Sequence, residues 1–203
     1  MSDTNGDGDG AKPVKRKRGP RKATQSYLEN SAAHYLGRFA TSSAHLRQLM
    51  MQKVQRSVNH HGTDPDEGAK FVDAIIAKFE RLGFLDDRAY AEMRARGLHA
   101  KGTPLRGIRF KLIQKGLGEE HIDAGLAALA DEIDVRDLDL SAALRLARRR
   151  RLGPYRSDDK DLRDERRDKD MAVLARAGFS YDVVCQVLDA DSIEELELAV
   201  ATD

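Results

Sequence analysis

The sequence predicts an all-α protein made of three tandem three-helix repeats in an elongated, modular array, and three observations predict it. Apolar residues recur at i, i+3 and i+4 along most of the chain, with cap residues and glycines between the stripes. Met50, Leu112 and Leu174 lie 62 residues apart at matching places in three such stripes, as do Lys53 and Lys115, and Gly116 and Gly178. A fixed period of this kind marks one supersecondary unit copied and stacked. Charged residues make up 34% of the 203, aromatics only 5%, and Trp is absent. That mix suits helices with thin apolar stripes and wide wetted faces rather than one thick core. Each unit reads helix, cap, basic helix, glycine or loop, short helix. The expected division is a disordered basic arm over 1–25, repeats over 26–83 and 84–130, and a third over 131–203 with a charged insertion at 156–168 and a C-terminal tail.

In chain order, residues 1–22 hold seven Lys/Arg, three Asp and almost nothing to bury, so packing cannot recover their ordering entropy. The arm is either a solubilising tail or a segment that tracks phosphates. Tyr27, Leu28, Ala32, Tyr35, Leu36 and Phe39 fit one short helix, and Thr41 to Ser43 cap a second striped by Leu46, Leu49, Met50 and Val54. Asn59 to Gly68 reads as loop. Phe71 to Leu82 is the next helix, stopped by Gly83, and Asp86-Asp87 open another through Tyr90 and Met93, where carboxylates favour a helix N-terminus.

Gly102 to Gly118 is the best-marked stretch. Thr103 is the expected N-cap and Pro104 the first helical residue, Leu105, Ile108 and Leu112 form the stripe, and Gly116 supplies a left-handed end after Lys115. Glu119-Glu120 then open a helix through Ile122, Leu126 and Leu129, followed by an acidic connector over 131–139. Leu140, Ala143, Leu144 and Ala147 form the next helix, which ends in Arg148 to Arg151; Gly153-Pro154 is a turn, and 156–168 is a loop or a solvated helix extension. Met171, Leu174 and Ala175, closed by Gly178, precede a short helix over 182–188 and an acidic one over 193–200.

Charge narrows the function classes. The net charge of +1 divides into +4 on residues 1–22 and −3 on the rest, so the folded body is no generic polycation and any phosphate affinity must be local. From Arg94 to Gly118 there are seven Lys/Arg and no acid, whereas Glu119 to Asp139 holds eight acids and one Arg. The acidic segment could tuck against the basic helix until a partner displaces it. The single cysteine, Cys185, lies in an apolar helix and reads as a buried small hydrophobe. Without a signal segment or a bilayer-length apolar run, a cytoplasmic protein is expected.

The candidate contact residues are Arg106, Arg109, Phe110, Lys111 and Lys115 on the basic helix, and Arg145 with Arg148, Arg149, Arg150 and Arg151 at the Arg-rich end. Arg106, Arg109 and Lys111 flank the stripe and could meet acidic protein or phosphate, or simply be solvated. Phe110 points away from Leu105, Ile108 and Leu112, as an interface aromatic beside Arg would; packing on a neighbouring repeat is the alternative. Part of the Arg run is helix capping, but four consecutive guanidiniums exceed that need. His60-His61 are a weak metal suggestion, since adjacent residues rarely aim two ligands at one ion. No catalytic, cofactor or metal site is expected.

Leu82-Gly83-Phe84-Leu85-Asp86-Asp87 with Tyr90-Ala91-Glu92, then Gly102 to Gly118, then Leu174 to Val184 (LARAGFSYDVV) occur in an order that resembles the RecX family of bacterial recombination regulators. The resemblance covers roughly residues 30–190 and leaves out the arm and the insertion. It implies a tandem-repeat protein that binds the deep groove of the RecA filament on single-stranded DNA and lowers its ATPase, strand exchange and repressor cleavage. It implies no active site or cofactor. On the charge placement in this sequence, the filament contact is expected mainly through repeat two and the Arg-rich helix of repeat three, and the chain is expected to be a monomer. The alternative is direct binding to single- or double-stranded DNA through the arm and the Arg run.

Overall fold

The computed structural model describes residues 19–133, 137–157 and 159–201, so most of the expected arm lies outside the described residues. Those described fold into eleven α-helices. Repeat 1 is α1 (Gln25–Leu36), α2 (Ser43–His61) and α3 (Pro65–Arg81); repeat 2 is α4 (Asp87–His99), α5 (Leu105–Ile113) and α6 (Glu119–Glu132). In repeat 3, α7 (Leu138–Arg150) and a single 3-10 turn precede α8 (Lys160–Asp164), α9 (Arg167–Ala177) and α10 (Tyr181–Leu188), and α11 (Ile193–Val200) follows. The second helices of the three repeats begin at Ser43, Leu105 and Arg167, again 62 apart, and Met50, Leu112 and Leu174 are each buried at the centre of a separate apolar cluster. Each repeat therefore has a core of its own.

Local chemistry sets the boundaries. Thr24, Ser42, Asp64, Asp86, Asp137 and Ser180 each accept a hydrogen bond from the first turn of their own helix. The expected loop over 59–68 shrinks to three residues. α2 runs on to a left-handed Gly62, and Asp64, Pro65, Asp66 and Glu67 together start α3. The basic helix is also displaced from its expected frame, because Pro104, not Thr103, is the N-cap, and α5 ends at Ile113 before a turn into Gly116 (φ 74°). Phe39 lies beyond α1 and is exposed.

Residues 19–24 are packed on repeat 1. The Ala23 N–H donates to the Ser57 hydroxyl (2.9 Å), and the Pro20 carbonyl lies 2.8 Å from His61 Nε2. His60 and His61 therefore close the last turn of α2 edge to face, and no metal-holding group of three or more His, Cys, Asp or Glu occurs among the described residues.

The same joint connects successive repeats. Proline cannot cap α5 with its own side chain, so Asp139 from the first turn of α7 accepts the Leu105 N–H (2.7 Å). One repeat earlier, Asp87 from the first turn of α4 accepts the Ser43 N–H at the start of α2 (2.8 Å). At each joint the glycine ending the following repeat's second helix abuts the same helix start: Gly116 faces Ala44, and Gly178 faces Pro104. The buried Ser42 hydroxyl adds a hydrogen bond to the Lys115 carbonyl.

His99 seals the second joint. It is fully buried, and its Nε2–H donates to the Leu138 carbonyl (2.9 Å), while Nδ1 has no partner among the described residues. Burial, reinforced by Arg145 and opposed by the Leu138 bond and Asp139, lowers its pKa below the ordinary 6.5. Since the folded ring resists a proton that the unfolded ring accepts, this contribution to stability is complete above about pH 6.5 and is lost as pH falls towards the lowered value. The slope for one proton cannot exceed about 1.4 kcal/mol per pH unit. Urea midpoints measured from pH 7.5 to 5 are expected to fall more steeply for the wild type than for His99→Gln; parallel curves would remove His99 from the acid response.

The charged insertion is more built than a loop or solvated extension. Asp170 is buried and accepts from Arg156 through both oxygens (2.6 and 3.3 Å) and from the Gly153 N–H (3.0 Å). Arg163 of α8 is also buried, and its Nη1 donates to the Ala190 and Asp191 carbonyls. Cys185 departs from its expected core position: it is only half-buried, with Arg167 Nη2 3.9 Å from its sulfur.

Candidate partner-binding face

The expected contact residues divide into two groups. On α5, Ile108 and Leu112 are fully buried, which turns Arg106, Phe110, Lys111 and Ile113 outward. Phe110 is 59% and Ile113 53% exposed, so Phe110 does not pack on a neighbouring repeat. Arg106, Phe110 and Ile113 follow i, i+4, i+7 and form one continuous stripe with Lys111 beside it. Sequence reasoning missed Ile113, although its place outside the buried stripe and three residues after Phe110 was the signal.

Arg109 is engaged internally. Its guanidinium pairs with Asp123 on α6, and Arg96 of α4 pairs with Glu132 at 2.9 Å. Asp123 of α6 thus neutralises the inner flank of the basic helix, while Arg106 and Lys111 on the outer side are exposed and have no ion-pair partner among the described residues. Lys115 is half-buried with its carbonyl committed to Ser42. Both ends of α5 are held by neighbouring repeats, so the stripe is presented on a rigid element.

Arg145 and Arg148 to Arg151 form a second, separate group. All five are exposed. Only the start of α7 meets α5, and Arg150 lies about 16 Å further along at 1.5 Å per residue. Arg145 and Arg148, with Leu144, Tyr155 and Glu197, line a groove of about 250 Å³ between α7 and α11. There burial, with Glu197 nearby, raises the Tyr155 phenol above its ordinary pKa. Arg151 holds left-handed backbone (φ 55°, ψ 64°), the one non-glycine among the described residues to do so.

A side chain there costs roughly 1–2 kcal/mol. Arg151→Gly is therefore expected to stabilise the chain by about 0.5–1 kcal/mol, read as a higher urea midpoint. An unchanged or lowered midpoint would mean that the guanidinium makes a compensating contact.

Comparison with known proteins adds a decisive observation. Residues 86–126, spanning α4, α5 and most of α6, match the model described as RecX, second three-helix domain. The regulatory protein RecX of Myxococcus xanthus is 40% identical over 185 residues, covering 90% of this chain and 96% of that protein. The chain belongs to the RecX family. The regulatory protein RecX of Agrobacterium fabrum is 31% identical over 172 residues, with 85% and 86% of the two chains covered. The crystal structure of RecX from Lactobacillus salivarius superposes with a TM-score of 0.56 at 23% identity, over 86% of this chain and 97% of that one. That likeness shows the fold: the all-α array of three-helix repeats is shared with a solved RecX structure. Family membership makes this a regulatory protein, and no helix among the described residues is long and apolar enough to cross a membrane.

Proposed function

We propose that this chain binds the filament that RecA forms on single-stranded DNA and lowers its activity, using the outer stripe of α5 as its principal contact and the Arg-rich end of α7 as a second. The observation that carries the proposal is the rigid stripe of Arg106, Phe110 and Ile113 with Lys111. It combines exposed apolar surface with cations that have no ion-pair partner among the described residues, the composition of a protein-binding hot spot. Two separated contacts on one rigid array can engage successive protomers of a filament and gain avidity.

Charge placement favours a protein partner over helix-turn-helix docking on duplex DNA. That mode puts the start of the last helix into the major groove. Here the third helices open on acids: Asp66 and Glu67 in α3, Glu119 and Glu120 in α6, Asp182 in α10. Phosphates would repel them.

The test is the ATPase rate of preformed RecA filaments as this protein is added, with naked duplex DNA in excess. Inhibition below stoichiometric amounts that persists with the duplex present is expected. Inhibition titrated away by duplex DNA would place the target on DNA and contradict the proposal.

A further inference from the structure

We propose that the α1–α2 face of repeat 1 is a groove for single-stranded DNA, a site separate from the α5 stripe. From residue 20 to residue 63 the chain has one carboxylate, Glu29, against six Lys/Arg. Glu29 pairs with Lys78 on α3, and Arg47 pairs with Asp73 on α3 at 2.8 Å. The opposite face keeps Arg21, Arg38, Lys53 and Arg56, none of them in an ion pair among the described residues.

Two adjoining depressions lie on that face and share Lys53 and Arg56. One, of about 420 Å³, is completed by Arg21 and Tyr27; the other, of about 320 Å³, by Tyr35, Arg38 and Phe39. No carboxylate among the described residues lines either. Tyr27 and Tyr35 are eight residues apart on one side of α1, about 12 Å along its axis, and Phe39 continues the row 5.2 Å from Tyr35. Cations sit over these rings: Lys53 at 5.4 Å and Arg21 at 5.9 Å over Tyr27, and Arg38 at 5.5 Å over Phe39.

Cations tracking one groove with flat aromatic surface at intervals are what single-stranded nucleic acid requires, because phosphates take the charge and unstacked bases take the rings. An acidic peptide would satisfy the cations but leave the aromatic row unused. A duplex offers no free base faces. Gly19 lies at the groove edge, and Lys12, Lys15, Arg16, Lys17 and Arg18 precede it directly in the chain. The groove thus begins where the most basic part of the sequence ends. The choice of DNA over RNA rests on the function proposed above; the groove itself does not.

The experiment is fluorescence anisotropy of a labelled oligothymidylate of about 20 nucleotides, titrated with the full chain in the absence of any recombinase. Lys53→Glu with Arg56→Glu is expected to weaken binding about tenfold or more and to flatten the salt dependence of log K by about 1.4. Tyr27→Leu with Tyr35→Leu is expected to weaken oligothymidylate about tenfold and leave inorganic polyphosphate unchanged. If the Tyr35 substitution lowers the thermal midpoint, Phe39→Ser replaces it in the pair, since Phe39 lies outside any helix. Unchanged affinity in the charge-reversed variant, equal loss for both ligands in the tyrosine variant, or equal affinity for polyglutamate would overturn the proposal. Tight binding of oligouridylate with none of oligothymidylate would overturn it in favour of RNA. A chain that fails to inhibit filaments yet passes this test would lose the proposed function and keep the groove.

Discussion

Gly102→Ala is expected to undock repeat 3 from repeat 2 while leaving each repeat folded. Gly102 holds φ 71°, and a Cβ there would lie 2.8 Å from the Ala142 carbonyl oxygen and the Leu146 nitrogen, and 2.9 Å from Leu146 Cβ. The first two are backbone atoms of α7, so no rotamer change relieves the contact. Left-handed strain and overpacking together cost about 2–5 kcal/mol. That cost falls on the joint, because the apolar clusters of repeats 2 and 3 share no residue. Urea unfolding followed by far-UV circular dichroism should change from one transition to two, with the initial helicity preserved. A single transition at the wild-type midpoint would show that α7 can move away at no cost.

Arg106→Glu combined with Phe110→Ala is expected to raise the concentration needed for half-inhibition of filament ATPase about 100-fold, the loss of two interface hot-spot side chains. Both residues are exposed, so helicity and thermal midpoint should match the wild type. Arg109→Gln is the contrasting variant. It removes the exposed pair with Asp123, worth about 0–1 kcal/mol, and should change inhibition little. Equal losses in the two variants would place the contact on the α5–α6 flank instead of the outer stripe.

The repeat was legible because its marks are local: Met50, Leu112 and Leu174 recur at a fixed spacing, and each proved to be the centre of a separate core. Phe110 was legible for the same reason, since helical periodicity alone turns it outward. The joints were not. Asp87 and Asp139 look like ordinary first-turn acids of their own helices, and sequence offers no sign that each accepts an N–H from the preceding repeat. Arg109 was misleading because its partner, Asp123, sits on the following helix in a segment of opposite charge. Arg163 was hidden within a stretch whose composition reads as solvated, and Asp170 lies just past its end; only their tertiary partners bury them. Long-range pairing of charges leaves no periodic trace.

The central claim, that the outer stripe of α5 binds the filament itself, is tested most directly by titrating the fluorescently labelled chain with RecA filaments preformed on single-stranded DNA. The wild type and the Arg106→Glu/Phe110→Ala variant are compared, each also against the same DNA without RecA. The account predicts tight filament binding by the wild type, binding about 100-fold weaker by the variant, and equal affinity of both for the bare strand. Equal affinity of both proteins for the filament would contradict it.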